Sequence, residues 1–233
     1  MAITLLGLSS AGCRNDDGYR NDLNYDRDVV QTWTLPESGY RLVQFEGVDV
    51  DLDSLEPLRR ILTTDAAADS RHVVVIPAGS GALPLMVAGG NPNSVTAVAL
   101  SDAEADCCGY NVAANHCDDI IDLRRGRSES PLLTIKPPTV HLFIGDWTGR
   151  SDATLEAWTR DLAPRLQSLS RGVFNVDASQ VSVVRDVAES LQLQFKQLDH
   201  PVTGESSAGP IELRPAKTAS TESALMEATR TDR

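Results

Sequence analysis

Two short segments of the sequence combine residue types that could bind a ligand and act on it. The segment PAGSG, residues 77–81, stands between the apolar runs HVVVI and ALPLMVA, so its glycines predict a turn between a strand and a helix. Glycine lets the backbone approach a ligand closely, and the start of the helix offers free N–H groups to it. The segment GDWTG, residues 145–149, places an acid directly after another apolar strand, at the end where ligands of parallel sheets bind.

From residue 70 onward, the elements that must position these segments alternate between strand and helix. Apolar runs predict five strands, HVVVIPA, SVTAVAL, DIIDL, TVHLFIGDW and RGVFNVD. The first is uniformly apolar and β-branched, as expected of a central parallel strand covered on both faces. Helical spacing of apolar residues, or flanking caps, predicts four helices among them, ALPLMVAGG, DAEADCCGYNVAANH, DATLEAWTRDLAPRL and QVSVVRDVAESL. The segments LQFKQLD and PIELRPA predict an antiparallel pair at the sheet edge. This order is typical of an α/β fold with an open, doubly wound, mostly parallel sheet.

The predicted fold locates the ligand site. Ligands of such sheets bind beyond the carboxyl ends of the strands, near the point where the strand order reverses. We therefore expect four segments around one crevice: Pro77–Gly81, Ala99–Ser101, Gly126–Arg127 and Gly145–Trp147. Ser101 and Glu104 form a capping-box pattern that begins the second of the four helices.

The chain is expected to have three parts. Residues 1–53 form an N-terminal extension, made of a polar, acidic arm and a strand in YRLVQFEGVDV, with a helical turn at Val29–Trp33. Residues 54–216 form the α/β domain, which begins with a helix capped by Asp53 or Ser54. Residues 217–233 are rich in Ser, Thr, Ala and charge and predict a flexible tail.

Composition excludes several classes of partner. The chain has 21 basic and 33 acidic residues, which gives a net charge of -12, and its only lysines are Lys136, Lys196 and Lys217. Binding to a phosphate backbone needs clustered Lys and Arg, so we expect no nucleic acid and no anionic membrane as partners. The local cluster Arg124, Arg125 and Arg127 is balanced by nearby aspartates. A protein or small-molecule partner is therefore expected.

The cysteines and histidines predict no metal site. The four cysteines, Cys13, Cys107, Cys108 and Cys117, include no CxxC pair, and His116 beside Cys117 supplies two ligands without others to complete a site. Reduced thiols and a cytoplasmic location are the corresponding expectations. No run approaches the roughly 20 apolar residues of a transmembrane helix.

The order VVVIPAGSGALPLMVA, SVTAVALS, NVAANHCDDI, VHLFIGDW, LAPRL and GVFNV resembles the class I S-adenosylmethionine-dependent methyltransferases, over about residues 54–214. The resemblance implies a Rossmann-like methyltransferase sheet and S-adenosylmethionine as cofactor. It also implies that the turn residues Ala78, Gly79, Ser80 and Gly81 hold the cofactor. By the same resemblance Ala99 and Ser101 stand where the family holds the ribose, and Asp122 is the nearest acid to the adenine position.

The sequence departs from that family where polar contacts to the cofactor are expected. The first strand usually ends with an acid before a Gly-x-Gly-x-Gly turn, and the second ends with an acid that binds the ribose hydroxyls. Here Val75 stands at the first acid, Pro77 at the first glycine of the turn, and Ala99 at the second acid. Arg127 stands where the loop after the third strand often offers an aspartate. Two functions therefore remain open: a methyltransferase, or an inactive methyltransferase-like subunit that serves as a scaffold in a larger assembly.

The segment after the fourth strand suggests an acceptor site. FIGDWTGRSDATLE is similar to the SEWMG segment of the protein arginine methyltransferases, in which two carboxylates orient a guanidinium. By this similarity Asp146 would orient the acceptor or accept its proton, and Trp147 would form a wall of the acceptor pocket. Glu156 or Asp152 would supply the second acid, although Asp152 could instead cap its helix. The acceptor is expected to be a protein or a small molecule.

Overall fold

The computed structural model describes residues 27–36, 38–63, 72–132, 140–166, 170–198 and 208–216. The acidic arm before residue 27, Cys13 and the tail from residue 217 lie outside the described residues. The strands are β1 (Val29–Thr34), β2 (Arg41–Phe45), β3 (His72–Val75), β4 (Ser94–Ala99), β5 (Ile121–Arg125), β6 (Leu142–Asp146), β7 (Arg171–Asp177), β8 (Leu193–Gln197) and β9 (Ala208–Pro215). The helices are α1 (Glu56–Ile61), α2 (Ala82–Gly89), α3 (Asp102–Ala114), α4 (Asp152–Leu162) and α5 (Val181–Ser190), with 3-10 turns at Ala163–Arg165 and Ala178–Gln180.

Seven of the strands form one mixed sheet in the order β5-β4-β3-β6-β7-β9-β8. The pairs from β5 to β7 are all parallel, and β9 runs antiparallel to both β7 and β8. The expected Rossmann-like, mostly parallel sheet with an antiparallel edge is confirmed. The last strand in sequence lies inside this edge, because β9 inserts between β7 and β8.

The sheet separates two apolar layers, which explains why its central strand is uniformly apolar. Val73 and Val75 of β3 point into a cluster with α2 and α3, whereas Val74 and Ile76 point into a second cluster with α4 and α5. A parallel strand covered on both faces needs apolar residues at successive positions rather than at every second one. Trp158, which lies at helical spacing with leucines of α4, is 2% exposed in the second cluster.

Before the sheet, β1 and β2 form a separate antiparallel hairpin. The predicted helical turn at Val29–Trp33 is wrong, since these residues pair with β2 as a strand. The apolar face of β2 covers α3, where Phe45 and Tyr110 approach with ring centroids 5.3 Å apart. The extension therefore packs on the helix that follows β4.

The helix caps are partly as predicted. Ser101 Oγ accepts a hydrogen bond from the Glu104 N–H at 3.1 Å, which confirms the cap of α3. The predicted cap of α1 is wrong, because Leu55 occupies the cap position and no side chain bonds there. The Ser54 hydroxyl instead shares its one proton between two acceptors, the Asp51 carbonyl at 2.9 Å and Asp146 Oδ2 at 2.8 Å. Its contact with Asp146 brings the N-terminal segment to the carboxyl end of β6.

Candidate functional site

A cavity of about 380 Å³ opens at the carboxyl ends of β3 and β6. Three segments line it: residues 49–55 before α1, residues 77–83 of the glycine turn and α2, and residues 146–150 after β6. The lining residues are Asp49, Val50, Asp51, Ser54, Leu55, Pro77, Ala78, Gly79, Ser80, Ala82, Leu83, Asp146, Thr148, Gly149 and Arg150. This is the edge at which ligands of doubly wound sheets bind, and the volume is that of a small-molecule site.

The glycine turn is open toward the cavity and tightly packed behind it. Gly79 has φ +54, and a Cβ added there would meet nothing within 4 Å. Gly81 has φ +93 and caps α2, where an added Cβ would lie 3.2 Å from the Cys108 backbone. The left-handed backbone favours glycine at both positions. The backbone of Gly79 is therefore accessible to a ligand, while Gly81 allows the close approach of α2 and α3.

Asn111 of α3 holds this turn in place. Its side chain is fully buried, and its Nδ2 donates to the Ser80 carbonyl at 2.8 Å. The same amide bonds both backbone groups of Val43, because Oδ1 accepts from the Val43 N–H and Nδ2 donates to the Val43 carbonyl, each at 2.7 Å. One buried side chain thus connects the turn with the N-terminal hairpin.

Asp146, at the end of β6, is one of the acids that line the cavity. Its Oδ2 accepts a hydrogen bond from Ser54 Oγ at 2.8 Å, and its Oδ1 accepts from Thr148 Oγ1 at 2.8 Å and from the Thr148 N–H at 3.2 Å. Burial raises the pKa of Asp146 above its usual value, and these hydrogen bonds oppose the rise. The carboxylate is held in a fixed orientation while its pKa is moved toward neutrality, as a proton acceptor requires.

The segment before α1 supplies a further part of the cavity wall. Asp51 Oδ1 accepts hydrogen bonds from the N–H groups of Asp53 and Ser54, each at 3.1 Å. Asn175 Nδ2, in β7 beside Asp146, donates to the Ser54 carbonyl at 2.9 Å. These contacts fix Ser54 from both sides and so place its hydroxyl on Asp146.

Trp147 does not line the cavity, although it follows Asp146 directly. Its side chain is 1% exposed and stacks on Phe174 at a centroid distance of 3.7 Å. Its Nε1 donates to the Ile76 carbonyl at 3.1 Å. Successive residues point to opposite sides of an extended chain, so the indole lies in the core under the sheet edge. The structure gives this residue a packing position rather than contact with an acceptor.

The two candidates for a second acid lie outside the cavity. Glu156 is exposed on α4 and pairs with Arg160 at 2.8 Å. Asp152 is also exposed and accepts a hydrogen bond from Gln180 Nε2 at 2.8 Å, while Ser151 caps the helix. The acids that share the cavity with Asp146 are Asp49 and Asp51.

The residues expected at the ribose and adenine positions also lie away from the cavity lining. The Ala99 side chain is fully buried in the core cluster, and its carbonyl accepts a hydrogen bond from the Gly126 N–H at 2.8 Å. Ser101 is exposed and caps α3, and Asp122 is exposed and pairs with Arg124 at 2.7 Å. The structure therefore brings together the turn residues and Asp146, and it leaves Ala99, Ser101 and Asp122 outside this group.

Several lining residues were missed by reasoning from the sequence. Asp49, Asp51 and Ser54 belong to a segment assigned to the extension or to a helix cap, and Arg150 follows the fourth strand without a recognised motif. The repeated acids of GVDVDLDS were the available signal. Their position at the site depends on tertiary packing.

Two further properties concern the described residues as a whole. No three His, Cys, Asp or Glu side chains within the described ranges are grouped closely enough to hold a metal ion. No helix in the part of the chain that the structure describes combines the length and apolarity needed to cross a membrane.

Comparisons with known proteins identify the fold. No family model matches the sequence, and no curated protein matches it. The structure is similar to the ribosomal protein L11 methylase of Lactobacillus delbrueckii subsp. bulgaricus, with 15% identity, a TM-score of 0.58, and coverage of 72% of this chain and 81% of that chain. An rRNA methylase from Streptococcus thermophilus has 16% identity and a TM-score of 0.54, with 70% of this chain and 98% of that chain covered.

An O-methyltransferase from Bacillus cereus, solved in complex with SAH, has 12% identity and a TM-score of 0.55, over 72% of this chain and 83% of that chain. Identities this low concern the fold alone. In this chain the likeness covers a seven-stranded, mostly parallel sheet with an antiparallel edge. The chain has the fold of the class I S-adenosylmethionine-dependent methyltransferases.

Proposed function

We propose that this protein is an S-adenosylmethionine-dependent methyltransferase that acts on a protein or small-molecule acceptor. The observation that carries the proposal is the cavity at the glycine turn, with the oriented carboxylate of Asp146 in its wall. The fold positions this cavity at the carboxyl ends of the central strands, where such sheets bind ligands.

The residues present fit one end of the cofactor better than the other. The open backbone at Gly79 and the polar groups of Asp146 and Arg150 suit the amino-acid end. At the ribose end, Ala99 offers a buried methyl group in place of a carboxylate. A carboxylate here would make two charged hydrogen bonds to the ribose hydroxyls, and each such bond contributes about 1.5–3 kcal/mol. The cofactor is therefore expected to bind more weakly to this chain than to one with an acid at position 99.

When bound, the cofactor would supply an electrophilic methyl group. The residues of this chain would then hold the acceptor and exclude water. Asp146, fixed by Ser54 and Thr148, could accept a hydrogen bond or a proton from an acceptor N–H or O–H. The side chains of Val50, Leu55 and Leu83 provide apolar surface around the reacting groups.

Calorimetric titration of the full chain with S-adenosylmethionine and with SAH, its demethylated product, tests this proposal. Saturable binding of both ligands in a folded sample is the expected result. The variant Ala99→Asp adds a second comparison. If the ribose site is open and lacks only a hydrogen-bond acceptor, a carboxylate at this position should make SAH bind more tightly. An absence of heat at millimolar ligand would contradict the proposal.

A scaffold role without catalysis is the second candidate, and it is favoured by one observation. The segment that begins at Gly126 packs against the end of β4: a Cβ at Gly126 would lie 2.6 Å from Val98 Cγ1, and its N–H bonds Ala99. A ribose site covered by the chain itself would explain the loss of the acid. Ala99 is fully buried, so the variant must first be shown to fold by circular dichroism. If folded Ala99→Asp and the folded unmodified chain both bind no SAH, the scaffold function is the better account, and a partner assembly should be sought by co-purification.

The acceptor class needs its own test, because one of the similar structures is named as an rRNA methylase. The net charge of -12 supports a protein or small molecule rather than RNA. An anisotropy titration with generic RNA is expected to give no appreciable binding at physiological salt. Salt-sensitive binding below micromolar concentration would overturn this part of the proposal.

A further inference from the structure

Two histidines lie next to each other at the amino end of the sheet, away from the cavity. His72 begins β3, and its carbonyl accepts a hydrogen bond from the His141 N–H, just before β6, at 3.1 Å. Because β3 and β6 are parallel and pair from Val73 and Leu142 onward, the two histidine side chains point to the same face of the sheet. Both residues are half-buried, and neither has a part in the proposed function.

The His72 ring has a partner at each nitrogen while it is neutral. Its Nδ1 lies 3.0 Å from Ser94 Oγ, and its Nε2 lies 3.2 Å from Thr96 Oγ1, both on the neighbouring β4. A neutral imidazole has one donor and one acceptor, and a hydroxyl group can serve as either, so both tautomers are satisfied. The ring therefore links β3 to β4 without carrying a charge.

A positive charge on His72 is disfavoured by its surroundings. Burial is the largest cause that lowers the pKa of His72 below its usual value, and the neighbouring His141 lowers it further. On β5, beyond β4, Asp122 raises this pKa and Arg124 lowers it. Asp122 and Arg124 pair with each other at 2.7 Å, so the charge of this acid is already compensated. The neutral ring is the form that fits the native state.

His141 adds a geometric limit of its own. Its Nδ1 is buried and has no hydrogen-bond partner among the described residues, so a proton there would form an N–H without an acceptor. On β7, Arg171 lies in register with Leu142 and so points to the opposite face, where it pairs with Glu212 at 3.5 Å. The described acids on the two sides of the histidine pair, Asp122 and Glu212, are thus both bound to arginines.

We propose that His72 and His141 form a pH-sensitive switch, which joins the amino ends of β3 and β6 while both rings are neutral and loosens them when the pair takes up a proton. Histidine is the side chain whose charge ordinarily changes between pH 5 and pH 8. The same two strands lead to the glycine turn and to Asp146, so a loosened pair acts on the elements that hold the cavity. This role does not depend on methyl transfer.

Acid should weaken the native state through His72. The pKa of this residue is lower in the native state than its ordinary value of 6.5 in an unfolded chain. Below pH 6.5 the unfolded chain therefore binds a proton at His72 more readily than the native state does, and stability falls as the pH falls. Well above pH 6.5 the ring is neutral in both states, and this pH dependence vanishes.

Titration of the histidine rings in the full chain by nuclear magnetic resonance, from pH 8 to pH 5, tests the charge of the pair. The His72 midpoint should lie below 6.5 in the unmodified chain. In His141→Gln it should move upward and stay below 6.5, because the charge of the second ring is removed while the burial remains. A His72 midpoint at or above 6.5, or one that His141→Gln does not shift, overturns the proposal.

Amide hydrogen exchange tests whether the strands loosen. Protection factors at Val74 and Leu142 should fall by at least about threefold between pH 7.5 and pH 5.5, and by more than those in the β7–β9 pair. In His72→Gln this local loss should disappear. It should remain in His116→Gln, the matched control, which removes an exposed histidine after α3.

An equal loss of protection in the unmodified chain and in His72→Gln overturns the switch, as does a loss that is no larger at Val74 and Leu142 than in the β7–β9 pair. If His72→Gln does not fold, His141→Gln takes its place and should reduce the local loss. The ring titration of the unmodified chain needs no variant, so the proposal can fail on that measurement alone.

Discussion

Ser54 Oγ lies 2.8 Å from Asp146 Oδ2, although the two residues are 92 positions apart in the sequence. The contact joins the segment before α1 to the carboxyl end of β6, and it opposes the rise in the pKa of Asp146 that burial causes. The carboxylate at the centre of the candidate site therefore depends on a residue outside the βα alternation.

Replacing Ser54 by Ala should raise the pKa of Asp146 further and lower the free energy of unfolding at pH 7.5 by about 1 kcal/mol. The reason is that the ionised Asp146 carboxylate of the native state then has one hydrogen-bond donor fewer. Because a protonated Asp146 depends less on that donor, the difference between variant and unmodified chain should shrink as the pH falls through the raised pKa. Urea unfolding at pH 7.5 and pH 4 measures both effects.

Ser182→Ala, at an exposed position of α5, is the matched control and should leave the free energy of unfolding within about 0.5 kcal/mol. If Ser54→Ala behaves like this control at both pH values, the hydrogen bond does not stabilise the ionised Asp146.

Asn111 and Asn115 make similar bonds one helical turn apart, the first in the core and the second at a more exposed position. Asn111→Ala should cost about 2–3 kcal/mol, because it leaves the buried backbone groups of Val43 and the Ser80 carbonyl without partners. Asn115→Ala should cost less than about 1 kcal/mol, since water can replace its bonds to Arg41. Chemical denaturation compares the two, and equal costs would show that burial is not what gives Asn111 its effect.

Gly145 marks the closest approach between β6 and the residue that follows β3. A Cβ at this position would lie 1.7 Å from the Ile76 carbonyl oxygen, so Gly145→Ala must displace backbone. We expect a loss of about 3 kcal/mol or more in the free energy of unfolding, or a chain that does not fold. Gly209→Ala, where an added Cβ meets nothing within 4 Å, is the control and should fold normally. A melting temperature for Gly145→Ala equal to that of the control would contradict the close packing described here.

Glu56 of α1 should make the free energy of unfolding depend on pH in the acid range. Arg59 and Arg60 lower the pKa of Glu56 to about 2, with the hydrogen bond from Arg59 as the largest cause. A carboxyl whose pKa is lowered on folding stabilises the native state above its unfolded pKa of 4.5, and this contribution is lost as the pH falls toward about 2. The side chain is partly exposed, so the contribution is about 0.5–1 kcal/mol.

Glu56→Gln should therefore be less stable than the unmodified chain at pH 6 and equally stable near pH 2. Glu189→Gln, exposed on α5, serves as the control in the same denaturation series. A difference between Glu56→Gln and the unmodified chain that stays constant from pH 6 to pH 2 would contradict the role of the ion pairs.

Much of the fold follows from local patterns in the sequence. Val73–Ile76 are apolar at every position because β3 is covered on both faces, and this run predicts a central parallel strand. The glycines at 79 and 81 predict a turn because glycine tolerates a left-handed backbone, and both residues adopt one. Leu155, Trp158 and Leu162 predict an amphipathic helix, and these three side chains face the core. In each case, the residue type and its spacing report which side of one element is buried.

Tertiary structure decided which of these elements share a site. The sequence alone determined the βα alternation, the glycine turn and the acid after the fourth strand, because backbone conformation and burial act over a few residues. Only the assembled fold turned Trp147 into the core, inserted β9 between β7 and β8, and brought Asp51 and Ser54 to Asp146. These relationships join residues far apart in the chain through packing and hydrogen bonds, which no local periodicity records.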